Sequence, residues 1–150
     1  MNIYRQGFIC NFLDFAMERY PKPNYYEDYF LNYTPSKWKD GSGDGLFKYY
    51  DNNGIEYSLI IIEDLRYGIL LTYSKFNENN QTSISSYYSV GNKLKINNMT
   101  LVDDELFMPS GCFMKPKIAW LAVKAFLTAP TVMPNSIEWV NEDDIPWLEY

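Results

Sequence analysis

Hydrophobic and polar residues change rhythm twice along the chain. From Met1 to about Gly45 the apolar positions are aromatic and irregular. From Leu46 to about Val102 they form short alternating or continuous runs. From Pro116 onward they fall at helical spacing. The middle block predicts a meander of antiparallel strands. Its strongest local signal is Asp51-Asn52-Asn53-Gly54, where Asn-Gly supplies the positive φ angles of a tight turn between strands over 46–50 and 55–62. Leu59-Ile60-Ile61-Ile62 is a continuous run that predicts a central strand covered on both faces. Further strands are predicted over 68–74, over 83–90 before Gly91-Asn92, and as a fifth member over 99–102, with Asn77 to Gln81 as a polar loop.

In the first block Asn24 and Glu27 stand at the spacing of a capping box. The helix they would start puts Tyr25, Tyr26, Tyr29, Phe30 and Tyr33 on one face. An earlier helix is predicted near 11–19. The third block holds the clearest helix, beginning at Pro116, a residue suited to a first helical turn. From Ile118 to Leu127 only Lys124 is polar, which predicts burial almost all round, with Ala119, Ala122 and Ala125 permitting close approach to a sheet. A short strand over 137–140 follows. Strands first and a packing helix later give an α+β fold: an antiparallel β-sheet meander against a buried C-terminal helix, with one or two short N-terminal helices.

Length and composition fix the class. The 150 residues are 47% hydrophobic and 18% aromatic, enough for one self-sufficient domain over 1–150. There is no histidine, which removes Ser-His, Cys-His and imidazole-metal chemistry. Cys10 and Cys112 are far apart and have no companion pair, so no zinc site and no cofactor is expected, and two lone thiols suit a reducing cytoplasm. The start of the chain lacks the pattern of an export signal, and no apolar run reaches the ~20 residues of a bilayer span, so a soluble, cytoplasmic protein without membrane attachment is expected. Thirteen Lys and Arg against nineteen Asp and Glu give a net charge of −6, which argues against nucleic acid as a partner.

Chemistry-bearing patterns are few. Asp40-Gly41-Ser42-Gly43-Asp44-Gly45, with Asp51 at the twelfth position, imitates a calcium loop. Phe47 and Lys48 do not fit one, and the flank is a strand, so a Gly/Asp turn is expected there. Pro109-Ser110-Gly111-Cys112 holds two nucleophile types without a base. Two acidic runs stand out, Asp103-Asp104-Glu105 and Glu142-Asp143-Asp144. Each reads either as a solvated turn or as an electrostatic docking surface for a cationic partner, with paired-carboxylate hydrolysis a more distant reading. Five tyrosines fall between Tyr20 and Tyr33. Of these, Tyr25, Tyr26 and Tyr29 are candidate contact anchors, the alternative being a helix packed on the sheet with its hydroxyls at the rim.

The order of features in the second half resembles the Imm-one family of bacterial immunity proteins, which are encoded beside polymorphic and contact-dependent toxins. The resemblance is carried by the meander, Tyr88-Ser89-Val90-Gly91, the acidic run at Asp103, then Phe107-Met108-Pro109. It continues through a helix with Ala119, Ala122, Val123, Phe126, Leu127 and Thr128, then Pro134 and Ile137-Glu138-Trp139. The family's helix ends in a Gly stop, whereas Ala129-Pro130 stands here. The resemblance covers about 45–147 and implies a non-enzymatic inhibitor of a cognate toxin C-terminal domain, one that targets nucleic acid as a nuclease or deaminase does, since such toxins carry basic faces an acidic inhibitor can approach. It also implies a core position for Trp139. A general protein- or peptide-binding adaptor is the alternative.

Overall fold

The alternating block is laid out as a sheet, seen in a computed structural model that describes residues 6–39, 44–102 and 106–147. Strands β1 (Gly7–Phe12), β2 (Asp44–Tyr50), β3 (Ile55–Asp64), β4 (Gly68–Asn77) and β5 (Thr82–Val90) are followed by β6 (Met99–Val102), β7 (Leu106–Pro109), β8 (Phe113–Met114) and β9 (Glu138–Asn141). Three α-helices accompany them, α1 (Glu27–Leu31), α2 (Pro35–Lys39) and α3 (Pro116–Thr128). The main sheet runs β1-β2-β3-β4-β5-β9, all antiparallel, and β8 pairs with the start of β4. The fold is α+β, with the long helix after the strand meander.

Alternation along β3 supplies both cores. Leu59 and Ile61 enter a cluster with Cys10, Phe12, Tyr26, Phe30, Trp38, Phe47, Tyr73 and the inner side of α3. Ile62 enters a second cluster on the opposite face with Leu70, Tyr88, Val102, Met108, Cys112, Phe113 and Ile145. The continuous apolar run is therefore a central strand covered on both sides.

Five local expectations are corrected. The helix near 11–19 does not form; β1 pairs along β2 from Gly7↔Tyr50 to Phe12↔Gly45, and the chain turns so that Cys10 and Glu18 exchange backbone hydrogen bonds of 2.9 Å. Asn24 does not cap a helix. Pro23–Tyr25 is a 3₁₀ turn, and the five-residue α1 starts after Tyr26 without a side-chain cap, so its stability comes from packing rather than intrinsic propensity. In the β2–β3 turn only Gly54 has positive φ (80°), and Asp51 pairs with Ile55, which makes a three-residue loop instead of a two-residue one. Strand β6 forms at the expected residues but leaves the meander, pairing with β7 as a separate hairpin over the second core. Finally, α3 buries Ala119, Trp120, Ala122, Val123, Phe126 and Leu127, yet Ile118 and Leu121 remain 45% and 51% exposed, so the helix has an open side.

The crossover into α3 depends on a fork in the sheet. Strand β4 pairs with β8 at Ile69 and Leu70 and with β5 from Thr72 onward. At the fork the fully buried Ser89 hydroxyl accepts from the Leu71 N–H (2.9 Å) and donates to the Cys112 carbonyl (2.7 Å), in place of a regular ladder bond.

Candidate functional site

Strand β9 ends the sheet and, among the described residues, pairs only with β5. Immediately after it Glu142–Asp144 form a 3₁₀ turn, closed by the Asn141 carboxamide oxygen accepting from the Asp143 N–H at 2.9 Å. Two anchors hold that turn. Ile145 is buried in the second core, and the Trp147 ring meets Tyr88 edge-on at 5.2 Å while its Nε1 donates to the Glu142 carbonyl at 3.0 Å. Glu142, Asp143 and Asp144 are left exposed, with no ion-pair partner among the described residues. Glu138, at the other end of β9, is held by Lys93 at 2.6 Å. Burial pushes the Tyr88 phenol up, and the negative charge of Glu142 adds to that shift.

The other predicted residues lie elsewhere. Asp103, Asp104 and Glu105 fall outside the described residues. Tyr26 is 1% exposed and packs on Phe12 and Phe47, so it is a core residue and not available as an anchor. Tyr29 is half-buried among Phe12, Phe15 and Trp38, and Tyr25 is 42% exposed. This aromatic segment sits beside β1 and β2, whereas the acidic turn follows β9. Five strand spacings, about 24 Å in all, separate the two edges. The tyrosines and Glu142–Asp144 therefore do not form one contact surface. Sequence reasoning missed Phe15 and Met17, which are exposed in the segment between β1 and α1, as is Tyr20; an apolar residue in an irregular segment carries no pattern that separates surface from core.

The nucleophile and metal patterns have structural uses. Burial pushes both the Cys10 and Cys112 thiols up to about 12, and the two belong to opposite cores. Both are protonated at neutral pH and poor nucleophiles. Of the calcium-like stretch, 40–43 lie outside the described residues; from Asp44 to Tyr50 it is strand β2, and Asp51 Oδ1 accepts from the Asn53 and Ile55 N–H groups of the following turn. Among the described residues no three His, Cys, Asp or Glu are grouped to hold a metal, and no helix is long and apolar enough to cross a membrane.

Asp64 is the buried carboxylate with the clearest role. Burial alone would raise its pKa, but Arg66 more than offsets this through Nε (3.2 Å), Nη2 (3.0 Å) and its backbone N–H (2.8 Å), and the carboxyl sits below its ordinary value. Arg66 Nη2 also donates to the Leu101 carbonyl at 2.6 Å, tying the β3–β4 turn to β6. A lowered folded-state pKa means stability that is complete above the unfolded carboxyl value, near ~4, and is lost as pH falls through the folded value. The melting temperature is expected to fall over that acid range, and Asp64→Asn is expected to flatten the fall and to cost about 1–3 kcal/mol at pH 7. An unchanged acid slope in Asp64→Asn would assign the effect to other carboxylates.

A cleft of about 440 Å³ opens where the fork meets the start of α3. It is lined on its apolar side by Tyr67, Val90, Phe113, Met114, Ile118 and Ile137. No family model, no curated protein and no solved structure matches this chain. Three surfaces stand out among the described residues: the acidic turn after β9, the exposed aromatic residues of the segment between β1 and α1, and the apolar cleft.

Proposed function

We propose that the chain is a non-enzymatic inhibitor, an immunity protein that binds a cognate toxin domain in the cytoplasm and neutralises it stoichiometrically. The observation that carries this reading is the run of three exposed carboxylates, Glu142, Asp143 and Asp144, anchored by Ile145 and Trp147 beside a strand that, among the described residues, has a neighbour on one side alone. A toxin that acts on nucleic acid needs a cationic face for phosphate, and a fixed acidic rim is steered toward that face. The resemblance to the Imm-one family and the net charge of −6 support the same reading. The raised thiols and the structural engagement of Asp51 and Asp64 are consistent with binding as the role of the chain. A peptide-binding adaptor is the second reading, favoured by the cleft beside α3.

The test is calorimetric titration against the C-terminal domain of the protein encoded immediately upstream, with the toxin's activity followed in the same mixture. One-to-one binding in the nanomolar range, around −12 kcal/mol, with loss of activity is expected. The triple substitution Glu142→Lys, Asp143→Lys, Asp144→Lys is expected to slow association by about tenfold or more and to reduce its salt dependence, with a smaller effect on dissociation. An unchanged association rate removes this turn from the interface, and no binding at micromolar concentration overturns the inhibitor reading.

A further inference from the structure

The open side of α3 is cationic in an acidic protein. The helix contains no acidic residue. Successive positions rotate by about 100°, so Lys117, Leu121, Lys124 and Thr128 fall together on the outward side, with Ile118 and Ala125 adjoining. Lys117 and Lys124 flank Leu121 at spacings of four and three residues, which places both ammonium groups next to the exposed leucine. Lys115, Lys117 and Lys124 are all exposed and have no ion-pair partner among the described residues. The cleft continues this surface, because Ile118 belongs to both and Lys115 stands at the cleft's edge. The carboxylate at the cleft, Glu138, is neutralised by Lys93. Tyr67, which also lines the cleft, is 40% exposed, with the Arg66 guanidinium 5.0 Å from its ring centre.

The geometry points to a docking surface for an acidic peptide segment of a partner protein, one that carries a bulky apolar residue for the cleft and carboxylates for Lys115, Lys117 and Lys124. Charge complementarity selects this occupant. A second copy of this chain brings the same lysines against themselves across a symmetric α3 contact, and nucleic acid meets the net charge of −6. The apolar floor supplies the contact area, while the lysines fix orientation and reject basic segments. The lysines of this surface are distinct from Glu142–Asp144: they stand on and just before α3, which covers the first core, whereas the acidic turn follows the far end of β9 from Glu138 and is anchored in the second. The surface therefore stands or falls separately from the inhibitor reading.

The experiment is selection of a displayed random-dodecapeptide library on the full chain, followed by fluorescence-anisotropy titration of the recovered peptides. The variants are Lys117→Glu with Lys124→Glu, and Ile118→Ser with Leu121→Ser. All four positions are exposed, and far-ultraviolet circular dichroism and the melting temperature verify that each variant folds. Recovered peptides are expected to share carboxylates around one bulky apolar residue, to bind at least tenfold more weakly to either variant, and to weaken as salt rises. Peptides without that acidic pattern, or with equal affinity for the variants, overturn the proposal. So does the failure to recover any binder. Vesicles of phosphatidylserine and phosphatidylcholine form the second arm: sedimentation of the chain with them, lost in the same variants, would assign the surface to a lipid headgroup instead.

Discussion

Replacing Gly91 with alanine is expected to cost about 3 kcal/mol or more, and to leave much of the chain unfolded at 37 °C if the total lies in the usual range of ~5–15 kcal/mol. The cost arises where β5 ends and the chain passes under the crossover to α3. A Cβ built on Gly91 would overlap the Phe113 carbonyl oxygen, a backbone atom that cannot swing aside as a side chain can. Moving that carbonyl pulls on β8, whose neighbours are fixed on every side. The N–H groups of Gly91 and Asn92 both donate to the Gly111 carbonyl at 2.8 Å, and Ser89 holds the Cys112 carbonyl. Gly68 lies under the Met114 carbonyl in the same way. The readout is the denaturant midpoint of Gly91→Ala against that of Ser89→Ala. The serine variant strands the buried Leu71 N–H and is expected to lose about 1–3 kcal/mol. A Gly91→Ala midpoint within error of the native protein would show that the crossover can lift off the sheet.

That fork marks the limit of what the sequence discloses. Strands β2 to β5 are legible because their signals are local: alternation, a continuous apolar run, and turn residues at Asp51 to Gly54. Strand β8 has two residues and no pattern of its own; it exists because Gly68, Ser89 and Gly91 let the backbone approach, which only the folded sheet reveals. Strand β1 is hidden for a related reason. Its partner is 33 or more residues away at every paired position, and Gly7-Phe8-Ile9-Cys10-Asn11-Phe12 alternates too briefly to stand out. The helix of the third block is fully legible in extent, but an apolar residue does not say which side of a helix has a neighbour, so the openness of Ile118 and Leu121 is a tertiary fact.

The candidate site divides in the same way. The acidic run Glu142-Asp143-Asp144 is readable as composition, and its exposure follows the general cost of burying unpaired charge. What holds it in place is not readable, since it depends on Ile145 and Trp147 reaching a core built by β4, β5 and the β6–β7 hairpin. The tyrosine run is the converse case. Five rings in fourteen residues suggest a sticky surface, yet Tyr26 is drawn inward because β1 lies beneath it and Phe12 offers a ring to pack on. An unrecognised strand thus converts a proposed anchor into core.

Phe12→Ala is expected to produce a loss of about 3–5 kcal/mol. Phe12 is 1% exposed and is surrounded by six rings at centroid distances of 5.2–6.0 Å: Phe15, Tyr26, Tyr29, Phe30, Trp38 and Phe47. These come from the 12–15 turn, the segment around α1, α2 and strand β2, so one side chain joins four parts of the chain that share little hydrogen bonding. The helices concerned are five residues long and lack side-chain caps where their caps are defined, which makes packing on Phe12 the main reason they stay folded. The loss is therefore expected to appear twice, as a lower denaturant midpoint and as a weakened near-ultraviolet dichroism from Trp38 and its neighbours. Tyr25→Ala is the contrast. With 42% of its surface exposed and its ring meeting only the edge of Tyr26 among the described ring pairs, it is expected to cost less than about 1 kcal/mol, while altering any binding that uses its exposed ring. If Phe12→Ala lost less than about 1 kcal/mol, the N-terminal segment would not depend on this ring for docking, and the exposed Tyr25 would have no fixed base from which to engage a partner.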